Sequence, residues 1–81
     1  MSEELQTQNK LVGFKQSIKA VESGKAAKVF LAKDADPQMQ KSVEQSCGKA
    51  NVPVEFVQSM AELGKSCGIN IGAAVATILR D

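Results

Sequence analysis

Lys28-Val29-Phe30-Leu31-Ala32-Lys33-Asp34-Ala35-Asp36-Pro37 is the stretch that decides the fold. Val29 to Ala32 form an unbroken apolar run too short for a helix, which predicts a strand buried on both faces. Asp36 is a good helix cap, and Pro37 has the fixed φ that suits a first helical residue. A buried strand that leads at once into a capped helix is the unit of an α/β fold.

Downstream, Met39, Val43, Cys47 and Ala50 recur at helical spacing, so the helix after Pro37 packs on one face and ends near Gly48 to Asn51. Val54 to Val57 reads as a second short strand, with Phe30 and Phe56 both expected in the core. Ser59-Met60-Ala61-Glu62 fits a capping box and starts another helix. Gly64 and Gly68 predict that this helix stops early. Gly68-Ile69-Asn70-Ile71-Gly72 reads as a glycine-flanked loop, although Ile69 and Ile71 also suit the start of a last strand. Ala73 to Leu79 is β-compatible at Val75, Thr77 and Ile78, but periodicity alone also permits a helix there.

Upstream, Phe14, Ile18 and Val21 predict a helix over Phe14 to Ser23 that Gly24 ends. Ser2 to Lys10 is polar, with a short helix expected from Leu5 and Leu11. The resulting order is helix, helix, strand, helix, strand, helix, strand, which implies a central sheet covered on both faces. No linker, repeat or low-complexity segment divides the 81 residues, so 1–81 is expected to be a single domain.

Composition narrows the function. Hydrophobic residues make up 43% of the chain, which suits a folded domain, and no apolar run reaches membrane-spanning length. Met1 to Lys10 lacks the apolar centre of a secretion signal, so a cytoplasmic protein with no membrane partner is expected. There is no histidine, which removes the commonest general base and the commonest metal ligand. Ser, Lys, Asp and Glu fall into no catalytic constellation. The expectation is a non-enzyme with no metal and no cofactor. Cys47 and Cys67 lack CxxC spacing and read as buried thiols. Gly64-Lys65-Ser66 has no upstream glycine at the spacing of a phosphate-binding loop.

Net charge is only +1, but its distribution is uneven. Leu5 to Lys33 carries six lysines and one acid, Glu22, whereas Asp34 to Asp81 carries four basic residues and six acids. One basic face that attracts phosphates and an ordinary solvated lysine surface explain this equally well. Gly13 to Lys19 sharpens the choice. A glycine before a helix lets another backbone approach, and a helix N-terminus offers unpaired N–H groups and a positive dipole end. Lys15 and Lys19, four apart, share a face. Lysine can pair with the O6/N7 edge of guanine, and Gln16 can donate and accept at a base edge. On these residues alone, an exposed lysine-rich helix is the stronger reading. The Ile69 and Ile71 loop admits a lip that shields an exposed base. With three phenylalanines, no Trp and no Tyr, the chain lacks the aromatic platform of a single-strand binder. Any RNA it binds should be read as a folded shape.

Taken together, three motifs resemble a known family. They are Gly13-x-Lys15-Gln16-x-x-Lys19-Ala20-x-x-x-Gly24, then Ala32-Lys33-Asp34-Ala35-Asp36-Pro37, then Ser59-x-x-Glu62-Leu63-Gly64-x-x-Cys67-Gly68-Ile69-x-Ile71-Gly72-Ala73-Ala74. In this order and spacing they look like the kink-turn-binding ribosomal protein L-seven-Ae family, in its small bacterial YbxF-like branch. The resemblance runs from about Lys10 to Leu79. It implies an α/β fold, a three-layer α/β/α sandwich with a central mixed four-stranded sheet. It also implies a monomer that binds kink-turn RNA, in ribosomal RNA or in an mRNA leader such as a riboswitch. A kink-turn carries a three-nucleotide bulge beside tandem sheared G·A pairs, and its bend opens a major groove that regular A-form RNA keeps too narrow to read. Carried over, Gly13 and Phe14 lead the helix into that groove, Lys15 and Gln16 meet the guanines, and Lys19 assists. Ile69, Asn70 and Ile71 cover the extruded bulge nucleotides. Lys33 and Asp36 complete the RNA-facing set; an approach of Asp36 to an extruded base is implied too, although capping its helix is the stronger reading of that residue. Archaeal and eukaryotic relatives usually carry Asn-Glu where this chain has Lys15-Gln16. That departure leaves room for an alternative, a protein-interaction module on the same scaffold without RNA specificity.

Overall fold

The computed structural model describes residues 9–80. Its elements in chain order are β1 (Lys10–Val12), α1 (Phe14–Glu22), β2 (Ala26–Ala32), α2 (Pro37–Ala50), β3 (Val54–Val57), α3 (Met60–Ser66) and β4 (Val75–Leu79). They form one four-stranded sheet in the order β1-β4-β2-β3. β4 runs antiparallel to both β1 and β2, and β2 runs parallel to β3, so the sheet is mixed.

The quoted run reads as expected. Val29, Phe30, Leu31 and Ala32 are all fully buried, and because successive strand residues point to opposite faces, both faces of β2 are covered. The same holds for Val75, Ala76 and Thr77 of β4. Parallel β2 and β3 need a crossover, and α2 supplies it. α1 and α2 pack on each other, while α3 packs on β2, β3 and β4. The result is a three-layer α/β/α sandwich around a mixed four-stranded sheet.

Local chemistry sets the helix ends. The Asp36 carboxylate accepts from the Gln38 N–H at 2.8 Å, with Pro37 at the first helical position. Asn51, at φ 58°, closes α2 in the left-handed region that asparagine tolerates. Ser59 caps α3 by accepting from the Glu62 N–H at 3.1 Å.

Three of these expectations differ from the structure. The expected N-terminal helix over Ser2 to Lys10 falls largely outside the described residues, and Lys10–Val12 is a strand. Leu11, read there as a helix position, stands opposite Thr77 in the ladder with β4. Phe56 is 42% exposed, because β3 is an edge strand and the covering layer stops short of it. Ala50 is exposed because it is the last residue of α2, beyond the packed stripe of Met39, Val43 and Cys47. α3 is short, as the two glycines predict: it has seven residues and ends at Ser66, with Gly68 at φ 80° just beyond its cap.

Among the described residues no helix is long and apolar enough to cross a membrane. Cys47 and Cys67 are buried and free. Burial pushes both thiols above their ordinary pKa, an effect the charge of Lys10 partly offsets at Cys67.

Candidate nucleic-acid interface

The three sequence motifs lie far apart in the chain, yet the ladders bring them to one end of the sheet. β1 ends at Val12 opposite Ala76, and the next residue, Gly13, donates its N–H to the Val75 carbonyl at 2.9 Å. β2 ends beside the same point, where the Ala32 N–H donates to the Ala74 carbonyl at 2.9 Å. The Lys33 N–H donates to the Val57 carbonyl at 2.8 Å, which adds the end of β3. The start of α1, the β2–α2 turn and the loop before β4 are therefore neighbours.

Gly13 is the N-cap of α1, at φ 126° and ψ 152°. A side chain there would be strained, and the space where its Cβ would stand is open. No side chain caps the helix start, and its first turn holds no acid. The first N–H groups of α1 thus face outward with the positive end of the helix dipole. Ser17, Ala20 and Val21 bury the inner face of α1. Lys15, Gln16 and Lys19 are exposed on the outer side, and Phe14 is half-buried. Gln16 and Lys19 also line an open groove of about 420 Å³ that runs along α1 to Lys25 and Leu79. The arrangement suits an anionic ligand with polar edges.

Phe14 and Asp36 share a second groove, of about 330 Å³, with Gln38, Met39 and Ser42. Asp36 keeps its capping bond there, so one of its oxygens is engaged. Lys33 is exposed and reaches the Gln58 side-chain oxygen at 3.4 Å. The loop residues divide. Ile69 packs against the core, whereas Asn70 is exposed and Ile71 is 74% exposed. Both isoleucines precede β4, which begins at Val75, so neither belongs to the last strand. Gly13, Phe14, Lys15 and Gln16 stand at the start of α1, Lys33 and Asp36 in the β2–α2 turn, and Ile69, Asn70 and Ile71 in the loop before β4, whereas Lys19 lies further along α1, on the groove that runs to Lys25 and Leu79. Lys28, in contrast, is drawn into the sheet. It pairs with Glu55 at 2.8 Å and lies 5.0 Å over the Phe30 ring.

Sequence reasoning missed three residues that shape this end. Gln40 donates its amide to the carbonyls of Lys33 and Ala35 at 3.0 and 2.9 Å, and more weakly to that of Ala32 at 3.5 Å. Its place one turn beyond Asp36 was a readable signal, since helix side chains lean back toward the N-terminus. Asp34 accepts from the Met60 N–H at 2.8 Å, across 26 residues, and no local pattern points to that bond. Gly64 is the third. A Cβ there would stand 2.0 Å from the Ile71 carbonyl oxygen, so the loop rests directly on α3.

The chain is similar to known proteins in sequence and in fold. Residues 2–81 match the model of the ribosomal protein L7Ae/L30e/S12e/Gadd45 family. An "RNA-binding protein" of Geobacillus kaustophilus is 47% identical over 76 residues, covering 94% of this chain and 93% of its own. "RNA-binding protein YbxF" of Geobacillus stearothermophilus is 45% identical over the same length and coverage. Among solved structures, the Giardia lamblia 15.5kD RNA binding protein superposes with a TM-score of 0.87 at 30% identity, covering 96% of this chain and 66% of that one. A Bacillus halodurans protein of unknown function gives a TM-score of 0.86 at 27% identity, covering 95% and 77%.

Proposed function

This chain belongs to the ribosomal protein L7Ae/L30e/S12e/Gadd45 family, and from that premise we propose that it binds kink-turn RNA and stabilises the kinked form. The observation that carries the reading is the convergence of the uncapped, glycine-led start of α1 with the exposed Ile71 loop at one end of the sheet. A helix start with free N–H groups and exposed lysines suits an opened, phosphate-lined major groove. An apolar loop beside it suits bases that have left the stack. Several relatives carry the name RNA-binding protein, which supports the same partner class.

In this reading the 81 residues act as one RNA-binding domain, as a cytoplasmic monomer without catalysis. Gly13 and Phe14 lead α1 into the groove. Lys15 and Gln16 address the guanines of the sheared G·A pairs, and Lys19 and Lys33 meet phosphates. Ile69, Asn70, Ile71 and Asp36 flank the extruded nucleotides.

The test compares a kink-turn duplex with a control whose G·A pairs are replaced by Watson–Crick pairs. Binding to the kink-turn should be much tighter and should weaken as salt rises. Lys15→Ala should cost roughly 1–3 kcal/mol on the kink-turn and far less on the control, as expected for a lost guanine contact. Equal affinity of the wild-type protein for both RNAs would sink the reading.

A further inference from the structure

Two of the loops at this end of the sheet are tied to a single residue. The Met60 N–H donates to the Asp34 carboxylate of the β2–α2 turn at 2.8 Å. The Met60 carbonyl accepts from the Ala73 N–H of the loop before β4 at 3.0 Å. Met60 is therefore held from both sides, by the turn that carries Lys33 and Asp36 and by the loop that carries Ile71. Each side is also fixed independently. Gln40 clamps the turn through the Lys33 and Ala35 carbonyls. The loop lies on α3 at Gly64, where the Ile69 N–H donates to the Gly64 carbonyl at 3.0 Å.

We propose that Asp34 and Gln40 are positioning residues for RNA binding, which join the β2–α2 turn and the Ile69-to-Ile71 loop into one rigid surface through Met60. The inference rests on the RNA-binding reading above and adds to it how the surface is held. Asp34 is suited to the task because it is exposed and turned to the N-terminal N–H of a helix, where a carboxylate is favoured by the dipole. The bond is exposed, so water can reach the Met60 N–H when Asp34 is removed, but water does not carry the turn with it. Gln40 supplies only donors to its carbonyls, so an isosteric carboxylate at that position repels what the amide attracts.

The experiment uses the full chain and reads two quantities. In the RNA-free protein, hydrogen exchange at the Ala73 amide should quicken in Asp34→Ala and return to the wild-type rate in Asp34→Asn, whose amide oxygen still accepts from Met60. With a kink-turn duplex, Asp34→Ala and Gln40→Glu should each bind roughly five- to tenfold more weakly, and Asp34→Asn should recover most of the loss. The loss from Asp34→Ala should shrink in an Ile71→Ala background, because the loop it positions has lost its contact. Unchanged exchange at Ala73 overturns the linkage whether or not RNA is bound. If the wild-type protein prefers the kink-turn and Asp34→Ala binds equally well, the positioning role fails while the RNA reading stands. If the wild-type protein shows no preference, the RNA reading fails and with it the positioning for RNA.

Discussion

Gly13 and Lys15 divide the work of one helix start. Gly13 contributes only backbone, in a conformation that a side chain resists, and its N–H is already committed to Val75. Lys15 contributes only a side chain, which is exposed and free of a packing role. Loss of one should therefore strain the fold, and loss of the other should leave the fold intact. The same division separates Ile69, which packs on the core, from Ile71, which does not. Cys47 and Cys67 stand wholly on the folding side, and their burial raises both pKa values. In the unfolded chain a thiol ionises at its ordinary pKa, while in the folded protein it keeps its proton to higher pH. Folding then loses stability as pH rises from the unfolded to the folded value, and is unaffected by the thiols below both. Denaturant unfolding above about pH 8.5 should show stability falling with pH, and the fall should be shallower in a Cys47→Ala, Cys67→Ala variant. A parallel fall in both proteins would remove the thiols as the cause.

At the scale of elements, glycine at two helix positions should have opposite effects. Gly64, inside α3, leaves no room for a Cβ beneath the Ile71 carbonyl. Gly64→Ala must lift the loop, and overpacking of this kind costs about 1–3 kcal/mol, more than the helix propensity gained. Gly48, inside α2, is exposed with nothing within 4 Å of a Cβ, so Gly48→Ala should stabilise by about 0.5–1 kcal/mol. Thermal unfolding of the two variants checks both signs, and a stabilised Gly64→Ala would mean that the loop does not rest on the helix. This contrast also marks how far the chain can be read locally. β2 and α2 were legible because burial, cap and proline follow each other within ten residues. β1 was not, since three edge residues have no periodicity and exist as a strand only by pairing with β4 at the other end of the chain. Phe56 looked like core because an apolar run does not say that its strand lies at an edge. The start of α1 was legible as a helix start from Gly13 and the apolar spacing of Phe14, Ile18 and Val21. Glycine and two lysines one turn apart did not by themselves set it apart from an ordinary solvated helix. Asp34 and Gly64 were not legible, because their partners, Met60 and Ile71, are supplied by other elements.

For the whole molecule, the question is whether RNA affinity follows total charge or its placement. A net charge of +1 gives no bulk attraction of note, so the lysines at one end must act locally. The described residues measure 30 × 29 × 18 Å, and the Debye length at 0.1 M salt is about 10 Å. Charges at opposite ends are therefore screened from each other. Lys33 lies in the β2–α2 turn at the interface end, whereas Lys49 is in the last turn of α2 and lines a groove with Glu22 at the end of α1. Lys49→Glu takes the net charge from +1 to −1, and Lys33→Ala takes it only to zero. If placement governs, Lys49→Glu should leave kink-turn affinity at 0.1 M salt within about twofold, because its charge lies beyond the screening distance. Lys33→Ala should weaken binding and reduce the slope of log affinity against log salt by about 1, the loss of one phosphate contact. Should Lys49→Glu prove the more damaging of the two, the affinity would be tracking net charge, and an interface confined to one end of the sheet could not account for it.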